Sequence, residues 1–330
     1  MKSLSTQYMG LKLKNPIILG NCPYTNDLDG LKKAEDSGIG AIVLNSLFEE
    51  QIDSSAQSDM SGAEGFLTHA DAFAFLSQAS TEHYVDKYMD LVEKAKASLD
   101  IPVIASINCT SDSMWLDIAR RFASCGADAV EINHFIIPSD CKETGASIET
   151  QYLKFAKKAR SVIKMPLSMK IGWHFSSIPN MVKSLSNVGV DGIVMFNHFF
   201  RPDIDIEKVC VDSENTLQPK GDYGDTLRWT AMMSSEIDAD ICASTGIRNA
   251  STVVKMLLAG AKATQISSVV SMNGFSSVKE ILDGLGDWMD RHAYEKIEDF
   301  RGLLSQEKVG DPQSWERSVC LKLYSGFRAV

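Results

Sequence analysis

A chain of 330 residues, 44% of them hydrophobic and 23% charged, can bury a sizeable core as one large domain or two smaller ones. Its formal net charge of -10 and pI near 5.1 exclude a nucleic-acid partner of the usual kind, which needs clustered Lys and Arg to displace counterions. The seven cysteines, scattered from Cys22 to Cys320 with no C-x-x-C pair, fit reduced core thiols and argue against a disulfide framework or a zinc site.

Met1-Lys2-Ser3 leads into polar alternation without an apolar run, so neither a signal peptide nor a membrane anchor is expected and the protein is read as cytoplasmic. Thr6–Tyr8 and Leu11–Leu13 alternate around Gly10 and predict a small hairpin, placed to plug the floor of a barrel. Pro16–Asn21 is a short apolar run. A helix follows from Asn26 or Asp27 and stops before Gly38.

From there the chain repeats coarsely. Pro16, Pro102 and Pro166 each lead an apolar run, standing where a parallel strand begins and a missing N–H is harmless; Asp240 occupies the fourth such place. Between them lie four helix-stop-strand joints, at Gly38, Gly126, Gly189 and Gly260, each glycine suited to the positive φ of a helix C-terminus. Four strand-helix-strand-helix units give eight buried, mostly unalternating strands, which points to an α/β (β/α)8 TIM barrel, for which roughly 250 residues is typical. The surplus falls into two stretches. Glu49–Ser80, with Phe66, Phe73 and Phe75, is a long loop after strand two and a candidate lid; Arg301–Val330, with Trp315, Tyr324 and Phe327, is a C-terminal extension suited to packing on the barrel or a neighbouring subunit. An open doubly wound sheet shares the alternation, but no G-x-G-x-x-G follows an early strand.

In such a barrel chemistry gathers at the C-terminal ends of the strands. These ends read Asn21, Asn45-Ser46, Asn108, Asn133, Lys170, Asn197, Ser244-Thr245-Gly246 and Ser267-Ser268. Any one asparagine is an ordinary turn former. Five around one mouth suit a flat heterocycle with alternating C=O and N–H groups, and Lys170 can stabilise negative charge developing on such a ring, as on a reduced flavin. Lys170 could equally form an imine in an aldolase-type lyase. The last two strand ends suggest a phosphate cup made of amides and hydroxyls, including the N–H groups of Gly246 and of the helix after it. Two ordinary strand ends would read the same way.

At these residues the chain resembles the dihydroorotate dehydrogenase family, specifically its flavin mononucleotide barrels and the dihydroorotate dehydrogenase-like subgroup. The marks are Gly10–Pro16, Ala-Ser-Ile-Asn at 105–108, Glu-Ile-Asn at 131–133, Met-Lys at 169–170, Phe-Asn at 196–197 and the closing Ser-Thr-Gly and Ser-Ser segments. The resemblance implies one flavin-binding barrel domain over 1–330 with 301–330 packed on it, FMN as cofactor and a role in pyrimidine metabolism. It implies that Lys170 faces the flavin pyrimidine edge, that Asn133 and Asn197 lie between flavin and substrate, and that Thr245, Gly246, Ser267 and Ser268 hold the phosphate. Asn21 and Asn45-Ser46 stand where family members contact the ring, but the family's lysine is replaced by Asn45. The family places a cysteine or serine base just past the strand-four asparagine, in a run Asn-x-Ser-Cys-Pro-Asn. Here Asn133-His134-Phe135-Ile136-Ile137-Pro138 puts Ile136 in that slot, and an isoleucine cannot abstract a proton. Dihydroorotate oxidation is therefore not the expected reaction; a related reduction or another small dihydropyrimidine-like substrate is.

His174, four residues past Lys170, is the better acid or base, with Cys141 beside Asp140 a bystander. His134 and His198 each follow an inward asparagine, so alternation sends them into the helix layer and away from any metal. Arg228, Arg248 and Arg301 read as surface or helix-dipole residues. The expected partners are a small-molecule substrate, an unidentified electron acceptor and, by family likeness, a second copy in a homodimer. A phosphate-binding lyase and a flavin-binding barrel without turnover remain the alternatives.

Overall fold

The computed structural model describes residues 2–49, 70–109, 114–197, 202–213 and 223–316. Eight strands, all parallel, close on themselves: β3 (Ile17–Leu19), β4 (Ala41–Val43), β6 (Val103–Asn108), β7 (Ala129–Asn133), β8 (Leu167–Ile171), β9 (Gly192–Met195), β12 (Asp240–Ala243) and β13 (Ala263–Ile266). The β4–β6 and β13–β3 pairings complete the ring. Helices α1 (Leu28–Asp36), α2 (Ala70–Ser98), α3 (Met114–Arg121), α4 (Gly145–Val162), α5 (Ile178–Val188), α6 (Gly224–Met233), α7 (Ala250–Ala259), α8 (Ser268–Asn273) and α9 (Ser276–Arg291) alternate with the strands. The expected (β/α)8 barrel is therefore the architecture. Among the described residues no helix is long and apolar enough to cross a membrane.

The proline repeat has a physical counterpart at the barrel floor. The residue after each proline gives its N–H to a side-chain oxygen: Ile17 to Asn15 at 3.0 Å, Val103 to Asp128 at 2.7 Å, and Leu167 to Asp191 at 2.9 Å. The two aspartates also hold cations from the preceding helices, Lys96 at 2.7 Å and Arg160 at 2.7 Å. The carbonyls of Pro16, Pro102 and Pro166 accept from Thr264, Ile42 and Val130, so each proline keeps its place in the ladder without an N–H.

The hairpin β1 (Thr6–Tyr8) and β2 (Leu11–Leu13) closes that floor as expected. Tyr8, Met9 and Leu13 are buried against Ile18, Val43, Ile104, Val194 and Cys242, and the N–H of Met9 donates to the Asp240 carboxylate at 2.7 Å. Small residues on the strands leave the hairpin its room: a Cβ on Gly192 would lie 2.7 Å from the Tyr8 hydroxyl.

Strand two departs from expectation. It breaks after Val43 and resumes as β5 (Leu47–Phe48), still paired with β6. Val43 opposes Ile104 and Leu47 opposes Ile107, so one extra residue is accommodated across Leu44–Ser46, as in a β-bulge. The bulge leaves the N–H and C=O of Ser106 without a strand partner, and the Tyr88 hydroxyl of α2 takes both, at 2.8 and 3.0 Å. Of the candidate lid, residues 50–69, with Phe66, lie outside the described residues; from Ala70 onward the backbone, including Phe73 and Phe75, is the start of α2.

A second hairpin, β10 (Pro202–Asp205) and β11 (Cys210–Ser213), was not signalled by the strand-helix alternation. Ile204 and Val211 pair across it, and with Ile206 and Val209 they are 67 to 85% exposed. The described part of the tail lies on the helix jacket, with the N–H groups of Gly302, Leu304 and Gln306 donating to Leu257, Leu258 and Ala231. Trp315 is half-buried, and Tyr324 and Phe327 lie outside the described residues.

Candidate active site at the barrel mouth

Alternation along the strands decides what enters the barrel. Above the apolar floor layer, β6, β7 and β13 send Ser106, Glu131 and Gln265 inward; one step higher in register stand Asn108, Asn133 and Lys170, with Asn197 just past β9. Glu131, Lys170 and Gln265 form a closed triangle. The Lys170 ammonium donates to Gln265 Oε1 at 3.1 Å, Gln265 Nε2 donates to Glu131 Oε2 at 2.5 Å, and Lys170 Nζ lies 3.8 Å from Glu131 Oε1. Glu131 is 2% exposed. Burial pushes its carboxyl up, and the attraction of Lys170 and the Gln265 hydrogen bond offset this only in part.

Around the triangle the asparagines are paired. Asn197 Nδ2 donates to Asn133 Oδ1 at 3.2 Å. Asn21 Nδ2 donates to Ser46 Oγ at 3.0 Å, and Ser46 Oγ meets Ser106 Oγ at 2.8 Å. Asn45, half-buried in the bulge, gives its backbone N–H to Thr25 at 3.1 Å. Asn108 is buried at the end of β6.

The ends of β12 and β13 sit on neighbouring strands, as a shared cup requires. Their hydroxyls are engaged, however: Thr245 donates to the Phe196 carbonyl and Ser267 to the Asn21 carbonyl, each at 2.8 Å. Ser244 is built into the wall, its N–H on Met195 at 2.6 Å. The start of α7 is closed by its own capping box, in which Arg248 and Asn249 donate to Thr252 Oγ1 and Thr252 donates to Asn249 Oδ1. By contrast Ser267 makes no side-chain cap for α8. Thr245, Gly246, Ser267 and Ser268 are all half-exposed, so the backbone N–H groups of these two strand ends are the donors that an anion there would meet once the Thr245 and Ser267 hydroxyls are engaged. Thr245 and Gly246 hold φ of 78° and 74°, and a Cβ on Gly246 would lie 2.9 Å from the Tyr223 nitrogen.

Past β7, Ile136 is half-buried, and its N–H donates to the Tyr152 hydroxyl at 3.0 Å. His174 is exposed, with its ring 6.0 Å from that of Phe135. Cys141 is exposed. His134 does leave the mouth: it stacks on Phe155 at 4.0 Å and its Nδ1 meets the Cys109 carbonyl at 2.8 Å. His198 lies outside the described residues. Among the described residues no cluster of His, Cys, Asp and Glu could hold a metal. Arg301 ties the tail to the floor hairpin through Thr6 at 2.9 Å, and Arg248 is half-buried at the start of α7. Sequence reasoning missed Glu131, Gln265, Ser106 and Tyr88. The first three carried a signal, since each lies two residues before an assigned inward position, at Asn133, Ser267 and Asn108.

The closed parallel barrel and its polar mouth define the chain as a (β/α)8-barrel enzyme. No family model matches it. Over 307 residues it is 25% identical to the dihydroorotate dehydrogenase B (NAD(+)) catalytic subunit of Pyrococcus abyssi, an alignment covering 91% of this chain and 98% of the relative. It is 22% identical to the NAD-dependent dihydropyrimidine dehydrogenase subunit PreA of Escherichia coli (strain K12), over 93% of this chain and 78% of that one. With the chloroplastic dihydropyrimidine dehydrogenase (NADP(+)) of Arabidopsis thaliana it shares 24% identity over 91% of this chain and 76% of the relative. Over nearly its whole length the chain is similar to dihydroorotate and dihydropyrimidine dehydrogenase subunits, and it is an oxidoreductase.

Proposed function

We propose that the chain is an FMN-dependent oxidoreductase acting on a CH–CH bond of a small dihydropyrimidine-like compound. The observation that carries this reading is the make-up of the mouth, where Asn108, Asn133 and Lys170 are register neighbours on β6, β7 and β8 and Asn197 donates to Asn133. The donor set fits the cofactor: neutral amides suit the edge of a pyrimidine ring, Lys170 suits a ring that gains negative charge, and the uncapped start of α8 beside Gly246 suits a phosphate. FMN, when bound, supplies a ring that exchanges hydride with the substrate carbon.

The chain's own residues orient and stabilise. Asn133 and Asn197, already paired, present amide donors and acceptors to a cyclic substrate, and Lys170 holds positive charge at the ring edge. Ile136 cannot hold or release a proton. His174 is the proposed proton carrier, supported by its ring contact with Phe135, next to Ile136. Support for a separate electron-transfer subunit comes from two of the relatives, which are themselves subunits. A homodimer is part of the same reading.

The test begins with colour. Purified protein should absorb at the flavin bands, release FMN on denaturation and bleach anaerobically with a dihydropyrimidine, or with a reductant followed by reoxidation by a pyrimidine. Colourless protein that takes up no added FMN sinks the proposal. His174→Gln should lower turnover at least tenfold with FMN still bound; unchanged turnover removes His174 from the mechanism.

A further inference from the structure

The interior triangle beneath the mouth does more than fill the barrel. Glu131, Lys170 and Gln265 come from β7, β8 and β13, so their meeting is a product of barrel closure and not of local sequence. Glu131 is 2% exposed and receives Gln265 Nε2 on one oxygen while the other faces Lys170 at 3.8 Å. Gly20 on the neighbouring strand keeps the space open, since a Cβ there would lie 3.3 Å from Gln265 Oε1. A carboxylate in such a place is costly unless it serves the charge above it.

Resting on the FMN reading, we propose that Glu131 is a positioning residue which, through Gln265, fixes the direction of the Lys170 ammonium and, by its own ionisation, sets how much positive charge Lys170 presents to the bound ring. The groups facing Glu131 support this. Lys170 is the cation beside it, while Tyr8 from the floor hairpin, Tyr88 from α2 and Cys242 from β12 all interact with its charge and are themselves held neutral by burial. The charge balance beneath the mouth is therefore set by Glu131 and Lys170. With Glu131 protonated the pair is a net cation; with Glu131 ionised it is neutral. Burial favours the protonated form, so ionisation is displaced to higher pH than for a solvated glutamate.

The experiment is the two-electron midpoint potential of the bound flavin against pH, measured anaerobically with a reference dye in the holoenzyme. Glu131→Gln mimics the protonated form. The variant and the wild type should coincide at low pH and diverge as pH rises, the wild type becoming harder to reduce by about tenfold in its reduced-to-oxidised ratio. Potentials that agree at every pH, or that differ by a constant offset, overturn the proposal, the second because it signals mere structural damage. If Glu131→Gln does not fold, Gln265→Met tests the same idea, because losing the donor to the carboxylate should move the bend of the potential curve to higher pH. A bend that stays in place overturns it. Protein that takes up no FMN overturns the function and this inference together, whereas a yellow protein with unmoved potentials overturns the inference alone.

Discussion

At the scale of single residues, His134 shows what a strand's alternation costs the side chain it turns outward. Asn133 points into the mouth, so His134 enters the layer between β7 and α4, where Phe155 stacks on it at 4.0 Å and Tyr152 meets it edge-on at 4.8 Å. Its Nδ1–H donates to the Cys109 carbonyl, which makes Nε2 the unprotonated nitrogen. Burial lowers its pKa, the Cys109 bond opposing. The folded state therefore binds fewer protons than the unfolded chain below the ordinary histidine value of about 6.5, and stability is lost as pH falls through that window. His134→Phe should keep the stack, cost about 1 kcal/mol near pH 8 from the lost hydrogen bond, and flatten the decline between pH 7 and 5. Urea midpoints across that range are the measurement. A decline as steep as that of the wild type would place its origin elsewhere.

At the scale of elements, the two helices that follow β12 and β13 differ in a way that separates stability from ligand binding. The N-terminus of α7 is closed by the Asn249–Thr252 box, whereas α8 begins at Ser267 without a side-chain cap. Asn249→Ala should lower stability by about 1 kcal/mol and leave FMN affinity unchanged, because the Asn249 side chain serves the Thr252 amide of its own helix. Gly246→Ala should do both kinds of damage. A left-handed φ of 74° and a Cβ 2.9 Å from the Tyr223 nitrogen are expected to cost about 1–3 kcal/mol and to weaken FMN binding at least tenfold. Thermal melts with and without FMN, beside fluorescence titration, distinguish the two variants. An Asn249→Ala protein with weakened FMN affinity would return α7 to the phosphate site.

At the scale of the molecule, the barrel is held at its floor. Asp128 and Asp191 each join a strand's first amide to a cation on the preceding helix, and the hairpin fills the space inside. Tyr8→Ala should leave a cavity and cost about 3–5 kcal/mol, since its neighbours Ile18, Val194 and Cys242 sit on a closed sheet that cannot collapse inward. Asp191→Ala should cost about 1.5–3 kcal/mol through the orphaned Leu167 amide and Arg160. Denaturant midpoints check both. A Tyr8→Ala loss below about 1 kcal/mol would mean that the hairpin is not part of the cooperative core.

Much of this was legible in the chain itself. The prolines at 16, 102 and 166 and the glycines at 38, 126, 189 and 260 mark strand starts and helix stops through local backbone chemistry, which needs no knowledge of neighbours. The same alternation that set Asn133 and Lys170 inward sent His134 outward. What the sequence could not decide is whatever depends on residues distant along the chain meeting across the closed sheet. The bulge at Leu44–Ser46 exists only against β6, the hydroxyls of Thr245 and Ser267 are claimed by carbonyls of other strands, and Glu131 meets Gln265 from 134 positions away. Periodicity fixes which face a side chain takes; tertiary closure chooses its partner, because hydrogen bonds and buried charges are satisfied in space and not along the sequence.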